Sequence, residues 1–137
     1  MTLGSIRHQI HIHRPAEVVW ELAGDPTRLH EWFPGITACH VEGNIRVITL
    51  GSGSTMPEEI LINDGVQRRF QYRITTPIFR HHRGTIDVID LGDATCLVVY
   101  ATDADPRTMA LTIGAGTAGA LDELKRQMEP ANPSAAH

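Results

Sequence analysis

The chain has few of the residues that mark several common classes of protein. It has two cysteines among its 137 residues, Cys39 and Cys96, which are far apart and not in a CxxC spacing. A disulfide framework or a cysteine-based metal site needs more cysteines, or closer ones. Both cysteines fall in apolar stretches, where a free cysteine behaves as a small hydrophobic side chain. We therefore expect a cytoplasmic protein.

Clustered positive charge and long apolar runs are also missing. The net charge is −4, and the densest basic segment is only Arg80-His81-His82-Arg83. A nucleic-acid-binding surface needs an extended basic patch, so we expect no nucleic-acid partner. No apolar run approaches the roughly 20 residues that span a bilayer, so we expect no membrane insertion.

The length favours one domain. We predict a single domain over residues 1–129. The remaining residues, 130–137, read PANPSAAH and are rich in proline, alanine and serine. Such a composition cannot bury a core, so we predict a disordered tail.

One segment, residues 107–130, is long enough for a full-length helix. On a helical wheel, one face carries Met109, Ile113, Gly116, Thr117, Ala120, Leu121, Leu124 and Met128. The residues in the middle of this face are small. A buried face with little volume either lets the helix approach a sheet closely or leaves a cavity, and the pattern alone allows both.

The rest of the chain predicts a sheet with two short helices near its start. Residues 6–13 alternate as a half-buried strand does, and two short helices follow, over residues 15–23 and from Asp25 to Trp32. Turn residues then separate six predicted strands, at residues 36–42, 45–50, 55–62, 67–75, 84–90 and 95–103. These short connections favour an antiparallel meander. We predict an α+β fold in which about seven strands curve around the C-terminal helix.

Three motifs carry a resemblance to a known superfamily. PAEVVW at residues 15–20, DP leading to LHEWFPGI at residues 25–36, and ALDELK at residues 120–125 resemble START and polyketide cyclase–dehydratase proteins, also called SRPBCC or birch-pollen-allergen-like proteins. The likeness spans residues 3–129 and implies the helix-grip fold, with a cavity between the long helix and the sheet. Members include lipid carriers, hormone receptors, aromatase/cyclases and co-chaperone activators. The glycine-rich run 114–119 departs from the usual pattern.

Alternation along the strands selects the residues that would line this cavity. Phe70, Tyr72 and Ile74 alternate with polar neighbours and should point inward. The strand at 95–103 is apolar on both faces, and there the family resemblance implies that Tyr100 faces the cavity. The residues predicted to bind a ligand are Trp32, Phe33, Met56, Ile60, Phe70, Tyr72, Ile74, Val98, Tyr100, Met109, Ile113, Gly116, Thr117 and Ala120.

His8, Glu58 and Tyr100 are the candidate catalytic residues. A histidine and a carboxylate that converge in an apolar cavity could act as acid and base on an enolisable ketone. The alternatives are a structural histidine, an outward-facing glutamate and a core tyrosine whose hydroxyl has a partner within the protein. His11, His13, His81 and His82 lack metal-ligand spacing, so we expect neither a metal nor a cofactor.

Three functions follow, in order of preference. The first is a protein that holds a hydrophobic or aromatic small molecule, lipid-like or polyketide-like, in an internal cavity. The second is an enzyme of the polyketide cyclase/dehydratase kind. The third is a co-chaperone-like interaction module, which predicts a filled interior and an exposed patch at Ile78 and Phe79. The predicted loop at residues 76–83 would serve as a lid or as a homodimer contact.

Overall fold

A computed structural model describes residues 2–130, so most of the predicted tail, residues 131–137, lies outside the described residues. The strands are β1 (Gly4–Ile12), β2 (Ile36–Glu42), β3 (Ile45–Leu50), β4 (Thr55–Asp64), β5 (Arg69–Ile74), β6 (His81–Asp90) and β7 (Cys96–Asp105). The helices are α1 (Ala16–Ala23), a 3₁₀ helix (Pro26–Glu31) and α2 (Arg107–Met128). None of the described helices is long and apolar enough to span a membrane.

The strands form one antiparallel sheet of seven strands in the order β1-β7-β6-β5-β4-β3-β2. Strands β2 to β7 follow one another as a meander, and β1 closes the arrangement by pairing with β7. This confirms the predicted α+β helix-grip fold, with the curved sheet wrapped around α2. The 3₁₀ helix begins as predicted, because the Asp25 side chain accepts a hydrogen bond from the Thr27 amide at 2.9 Å.

Several strand boundaries differ from the predicted ones, and at β6 and β4 the cause is pairing that continues along a neighbouring strand. Strand β6 begins at His81 rather than at residue 84, since its pairing with β7 continues to His81 opposite Asp105. Strand β4 continues to Asp64, opposite Arg69. A bulge between Ile60 and Ile62 interrupts the alternation there, and Ile62 is exposed, whereas strict alternation would place it on the same face as Ile60.

Both alternatives for the small residues of α2 occur, at different glycines. The most buried face of the helix consists of Ala110, Gly114, Thr117, Ala120, Leu121 and Leu124. At Gly114, a Cβ atom would lie 2.7 Å from a side-chain carbon of Ile6, so this glycine allows α2 to pack closely on β1. Gly116 lies on the neighbouring flank, where the helix borders a cavity.

Alanine substitutions at two glycines of α2 should change stability in opposite directions. Gly119→Ala should raise the free energy of unfolding by about 1 kcal/mol, the usual difference in helix propensity, because its Cβ would have no neighbour within 4 Å. Gly114→Ala should lower it by about 1 kcal/mol, since the crowding of Ile6 outweighs the gain in propensity. Urea denaturation measures both values, and equal stabilisation by the two variants would contradict the close packing at Gly114.

Candidate ligand-binding cavity

A cavity of about 330 Å³ lies between the first half of α2 and the concave face of the sheet. Its wall is mostly apolar, and the polar side chains on it are few. The lining residues are Leu29, Phe33, Pro34, Gly35, Ile36, Ile48, Leu50, Met56, Glu58, Tyr72, Ile74, Phe79, Tyr100, Met109, Thr112, Ile113 and Gly116. A concave, apolar site with a few polar groups is the usual form of a small-molecule site.

A buried ion pair forms part of the cavity's polar end. Arg46 on β3 and Glu58 on β4 are directly opposite each other in the sheet, and they are 1% and 2% exposed. Arg46 Nε donates a hydrogen bond of 2.7 Å to Glu58 Oε1. Nη2 lies 2.7 Å from the same oxygen, but without the alignment of a hydrogen bond. Glu58 lines the cavity and Arg46 does not.

Burial and mutual attraction have opposite effects on the pKa values of the two paired groups. Burial raises the pKa of Glu58 above its usual range, and the charge of Arg46 opposes that shift. Burial alone would lower the pKa of Arg46, but Glu58, Tyr72 and Tyr100 together raise it, so the guanidinium keeps its charge. The guanidinium carbon also lies 5.1 Å from the ring centres of both Phe70 and Tyr72, a distance typical of a cation–π contact.

Two buried tyrosines complete the polar end. The hydroxyls of Tyr72 and Tyr100 share a hydrogen bond of 2.7 Å. Burial raises the pKa of both hydroxyls, so both stay protonated at neutral pH. The ring of Tyr72 crosses Gly84 of β6, where a Cβ atom would lie only 2.5 Å from the ring. A glycine at this position therefore lets Tyr72 reach Tyr100.

Aromatic rings form one side of the cavity. Trp32 and Phe33 follow the 3₁₀ helix, and their ring centres lie 6.1 and 6.2 Å from that of Tyr100. Trp32 is 1% exposed and belongs to the core, whereas Phe33 is half-buried and lines the cavity. Phe33 faces α2 at Gly116, where a Cβ atom would lie 3.3 Å from its ring.

The loop between β5 and β6 borders the cavity with one of its two apolar side chains. Phe79 turns inward and lines the cavity, while Ile78 is 55% exposed. The Phe79 ring packs edge-on against His82, with the ring centres 5.2 Å apart. His82 Nδ1 accepts a hydrogen bond of 2.9 Å from the Ile74 amide, and burial lowers its pKa to about 4. The loop is thus shorter than predicted, and residues 81–83 belong to β6.

The structure brings many of the predicted residues together around the cavity. Those on its wall are Phe33, Met56, Tyr72, Ile74, Tyr100, Met109, Ile113 and Gly116, together with Glu58. They come from α2, three strands of the sheet and the segment after the 3₁₀ helix. Whether they contact a ligand stays a prediction.

Six residues predicted to bind a ligand lie in the core instead of on the cavity wall, namely Trp32, Ile60, Phe70, Val98, Thr117 and Ala120. Trp32 packs on Tyr100, and the ring of Phe70 lies against the guanidinium of Arg46. The Thr117 hydroxyl donates to the Gly114 carbonyl within the helix at 2.9 Å. Val98 and Ala120 are fully buried in the core. Ile60 directly precedes the bulge in β4. Facing inward is therefore not enough to reach the cavity.

His8 and Glu58 do not meet in the cavity. His8 lies on β1 opposite Tyr100, on the same face as Ile6, and it is half-buried but absent from the cavity wall. Strand β1 lies at the sheet edge that α2 covers closely. The structure therefore does not form an acid–base pair from His8 and Glu58. Within residues 2–130, no three His, Cys, Asp or Glu side chains converge as a metal site requires.

The sequence analysis predicted neither Thr112, which lines the cavity, nor Arg46, which pairs with the cavity-lining Glu58. For Arg46 the sequence did carry information. A signal was present, because Arg46 alternates in β3 with the same set as Ile48 and Leu50. An arginine inside such a set needs a buried anionic partner. Pairing β3 with β4 would have placed that partner, Glu58, directly opposite.

The chain was compared with known families and structures. The profile of the family described as "Polyketide cyclase / dehydrase and lipid transport" matches residues 4–129. No curated protein matches the chain in sequence.

Three solved structures illustrate the likeness of fold. The protein XoxI from Bacillus cereus is 20% identical with a TM-score of 0.85, over 93% of this chain and 96% of that one. The Zhui aromatase/cyclase from Streptomyces sp. R1128 is 20% identical with a TM-score of 0.75, over 93% and 94%. Norcoclaurine synthase from Thalictrum flavum, in complex with dopamine and hydroxybenzaldehyde, is 16% identical with a TM-score of 0.73, over 96% and 90%.

Removing one partner of the buried ion pair should cost more stability than removing both. Glu58→Leu leaves the Arg46 charge buried and unpaired, and we expect it to lower the free energy of unfolding by about 3–5 kcal/mol. The double variant Arg46→Met/Glu58→Leu should recover most of that loss, because a buried ion pair and apolar residues of similar size often differ little in stability.

Glu59→Leu is the matched control. Glu59 is the next residue of β4, and it pairs with Arg73 at 2.9 Å on the more exposed face. Its loss should cost at most about 1 kcal/mol. Urea denaturation of the three variants measures these differences. If Glu58→Leu and Glu59→Leu lost equal stability, the pair would not have the strength that its burial implies.

Proposed function

Because this chain belongs to the family of polyketide cyclases, dehydrases and lipid-transport proteins, we propose that it binds a small, largely apolar molecule in the cavity under α2. One observation carries the proposal. A cavity of about 330 Å³ has an apolar wall and a polar end made by Glu58, Tyr72 and Tyr100. Apolar surface supplies affinity in such sites, and a few polar groups fix the ligand's orientation.

The size and the lining of the cavity narrow the range of ligands. Its volume of about 330 Å³ is near the lower end of the range for small-molecule sites, about 300–1,000 Å³, which favours one or two rings over a long lipid. Phe33, Phe79 and Tyr100 present rings to the interior, and aromatic pairs gain energy beyond the area they bury. The norcoclaurine synthase of similar fold was solved with dopamine and hydroxybenzaldehyde, which are both aromatic.

Filling the cavity should weaken binding without unfolding the protein. Gly116→Leu would place a side chain beside Phe33, where the Cβ already lies 3.3 Å from the ring. We expect the dissociation constant for the neutral fluorescent probe N-phenyl-1-naphthylamine to rise about ten-fold or more, because a filled site has to expand to admit the probe.

The matched control is Gly119→Leu on the same helix. A Cβ at Gly119 has no heavy-atom neighbour within 4 Å, so this variant should bind the probe as the wild type does. Thermal unfolding of both variants separates blocked binding from loss of fold. Unchanged binding by a folded Gly116→Leu variant would contradict a ligand site under α2.

Native mass spectrometry of the freshly purified protein would identify a resident ligand. We expect a non-covalent adduct of mass consistent with one or two rings, which extraction would then identify. A protein without any adduct, and without stabilisation by a library of aromatic compounds and lipids, would contradict the proposal.

A second candidate function is acid–base catalysis of the cyclase/dehydratase kind, and Glu58 favours it. Burial raises the pKa of the Glu58 carboxyl group, and Tyr72 and Tyr100, whose hydroxyls share a hydrogen bond, line the same cavity as Glu58. A carboxylate next to protonated hydroxyls can remove a proton beside a ketone while the hydroxyls stabilise the enolate oxygen. In this arrangement Glu58 and Tyr100 would act without His8.

Proton exchange tests this second candidate. If the site is catalytic, the protein should accelerate deuterium incorporation into the methyl group of 2-acetylnaphthalene in D₂O, as followed by NMR. Tyr100→Phe keeps the Arg46–Glu58 pair and removes one hydroxyl, and it should slow the exchange about 100-fold, as the loss of an oxyanion donor does. If the protein bound the ketone without accelerating the exchange, the catalytic candidate would be wrong and the binding function would remain.

The third candidate, an interaction module, is less well supported. It predicted a filled interior and an exposed patch formed by Ile78 and Phe79. Instead the interior contains a cavity, and Phe79 lines it. Of these two residues only Ile78 is exposed, by 55%. A homodimer contact there stays a prediction.

A further inference from the structure

One acceptor at the polar end of the cavity has no donor. Glu58 Oε1 accepts the hydrogen bond from Arg46, whereas no described residue donates a hydrogen bond to Oε2. Glu58 is 2% exposed, and it lines the cavity. A carboxylate oxygen at an apolar site forms strong hydrogen bonds with suitable donors. A donor from the ligand would satisfy this one.

The positive charge of Arg46 is not available to the ligand. Glu58 holds its guanidinium on one side, the rings of Phe70 and Tyr72 lie 5.1 Å from it, and Nη1 donates to the Pro26 carbonyl at 3.4 Å. Arg46 is absent from the cavity wall. A ligand therefore meets the negative side of the ion pair, and a carboxylate there would be repelled by Glu58 in a site whose mostly apolar wall screens charges less than bulk water does.

The tyrosine pair adds one donor at the same end. One of the two hydroxyl protons is used in the hydrogen bond between Tyr72 and Tyr100. The other proton has no acceptor among residues 2–130. The polar end thus offers one free acceptor and one free donor, and a hydroxyl group can satisfy both.

We propose that the cavity selects neutral molecules that carry a hydroxyl group, phenols or alcohols, on an apolar body and rejects carboxylates of the same shape. The ligand hydroxyl donates to Glu58 Oε2 and accepts from the free tyrosine hydroxyl. Fatty acids and aromatic acids are thereby excluded. This selectivity rests on the proposed function, since it concerns the same cavity.

Three compounds of nearly equal shape test the selectivity: 2-naphthol, 2-methylnaphthalene and 2-naphthoate, each titrated at pH 7 in competition with N-phenyl-1-naphthylamine. We expect 2-naphthol to bind about ten-fold or more tightly than 2-methylnaphthalene, because a hydrogen bond to a charged acceptor is worth a factor of this size. We expect 2-naphthoate to bind more weakly than either neutral compound.

The double variant Arg46→Met/Glu58→Leu locates the source of the preference. It removes the acceptor together with its counter-charge, so the ratio of the 2-naphthol and 2-methylnaphthalene affinities should fall towards one. The control Glu59→Leu should keep the wild-type ratio, since Glu59 pairs with Arg73 outside the cavity wall. Circular dichroism establishes that each variant is folded.

The outcomes separate the inference from the function on which it rests. If neither the probe nor any of the three compounds binds, the proposed function fails. If 2-naphthoate binds as tightly as 2-naphthol, or 2-methylnaphthalene does, the cavity binds small molecules but the selectivity is wrong. A folded double variant that keeps the wild-type preference would also overturn the assignment to Glu58. If that variant does not fold, the wild-type titrations alone decide the selectivity.

Discussion

The buried ion pair between Arg46 and Glu58 is the interaction on which the polar end of the cavity depends. Two charges enter an apolar interior only if each is paired, because the loss of hydration is large. The register of β3 against β4 places the two residues directly opposite each other. A slip of either strand by one residue would move its charged side chain to the other face of the sheet and leave the other charge buried without its partner. The register of β3 and β4 therefore decides whether the cavity has a charged group on its wall.

Other features of the site follow from this pair. The guanidinium lies against the rings of Phe70 and Tyr72, and Tyr72 continues across Gly84 to the hydroxyl of Tyr100. Each of the strands β3 to β7 contributes to this chain of contacts, and β5 contributes both Phe70 and Tyr72. Glu58, Tyr72 and Tyr100 line the cavity, and Arg46 does not. The result is a site that offers hydrogen bonds but no exposed positive charge.

The glycines of α2 explain how a packed domain keeps an empty volume. Gly114 lets the helix contact Ile6 closely, and Leu121 and Leu124 fill the core further along. Gly116 faces Phe33 and leaves the space beneath the helix unfilled. Close packing at Gly114 fixes the helix on the sheet. The helix therefore does not move inward to fill the cavity at Gly116. Dispersion contacts and buried apolar area hold a helix that three glycines would otherwise weaken.

Much of the fold was determined by the sequence itself, because its signals are local. Turn residues and alternation placed β2 and β3 at their observed bounds and turned Phe70, Tyr72 and Ile74 inward. The motifs at both ends of the chain indicated the helix-grip arrangement. Pairing between strands decided the rest. The bulge that turns Ile62 outward, the early start of β6 and the burial of Arg46 against Glu58 depend on partners in neighbouring strands. Local periodicity carries no information about such partners, so only the tertiary structure could decide which inward-facing residues reach the cavity.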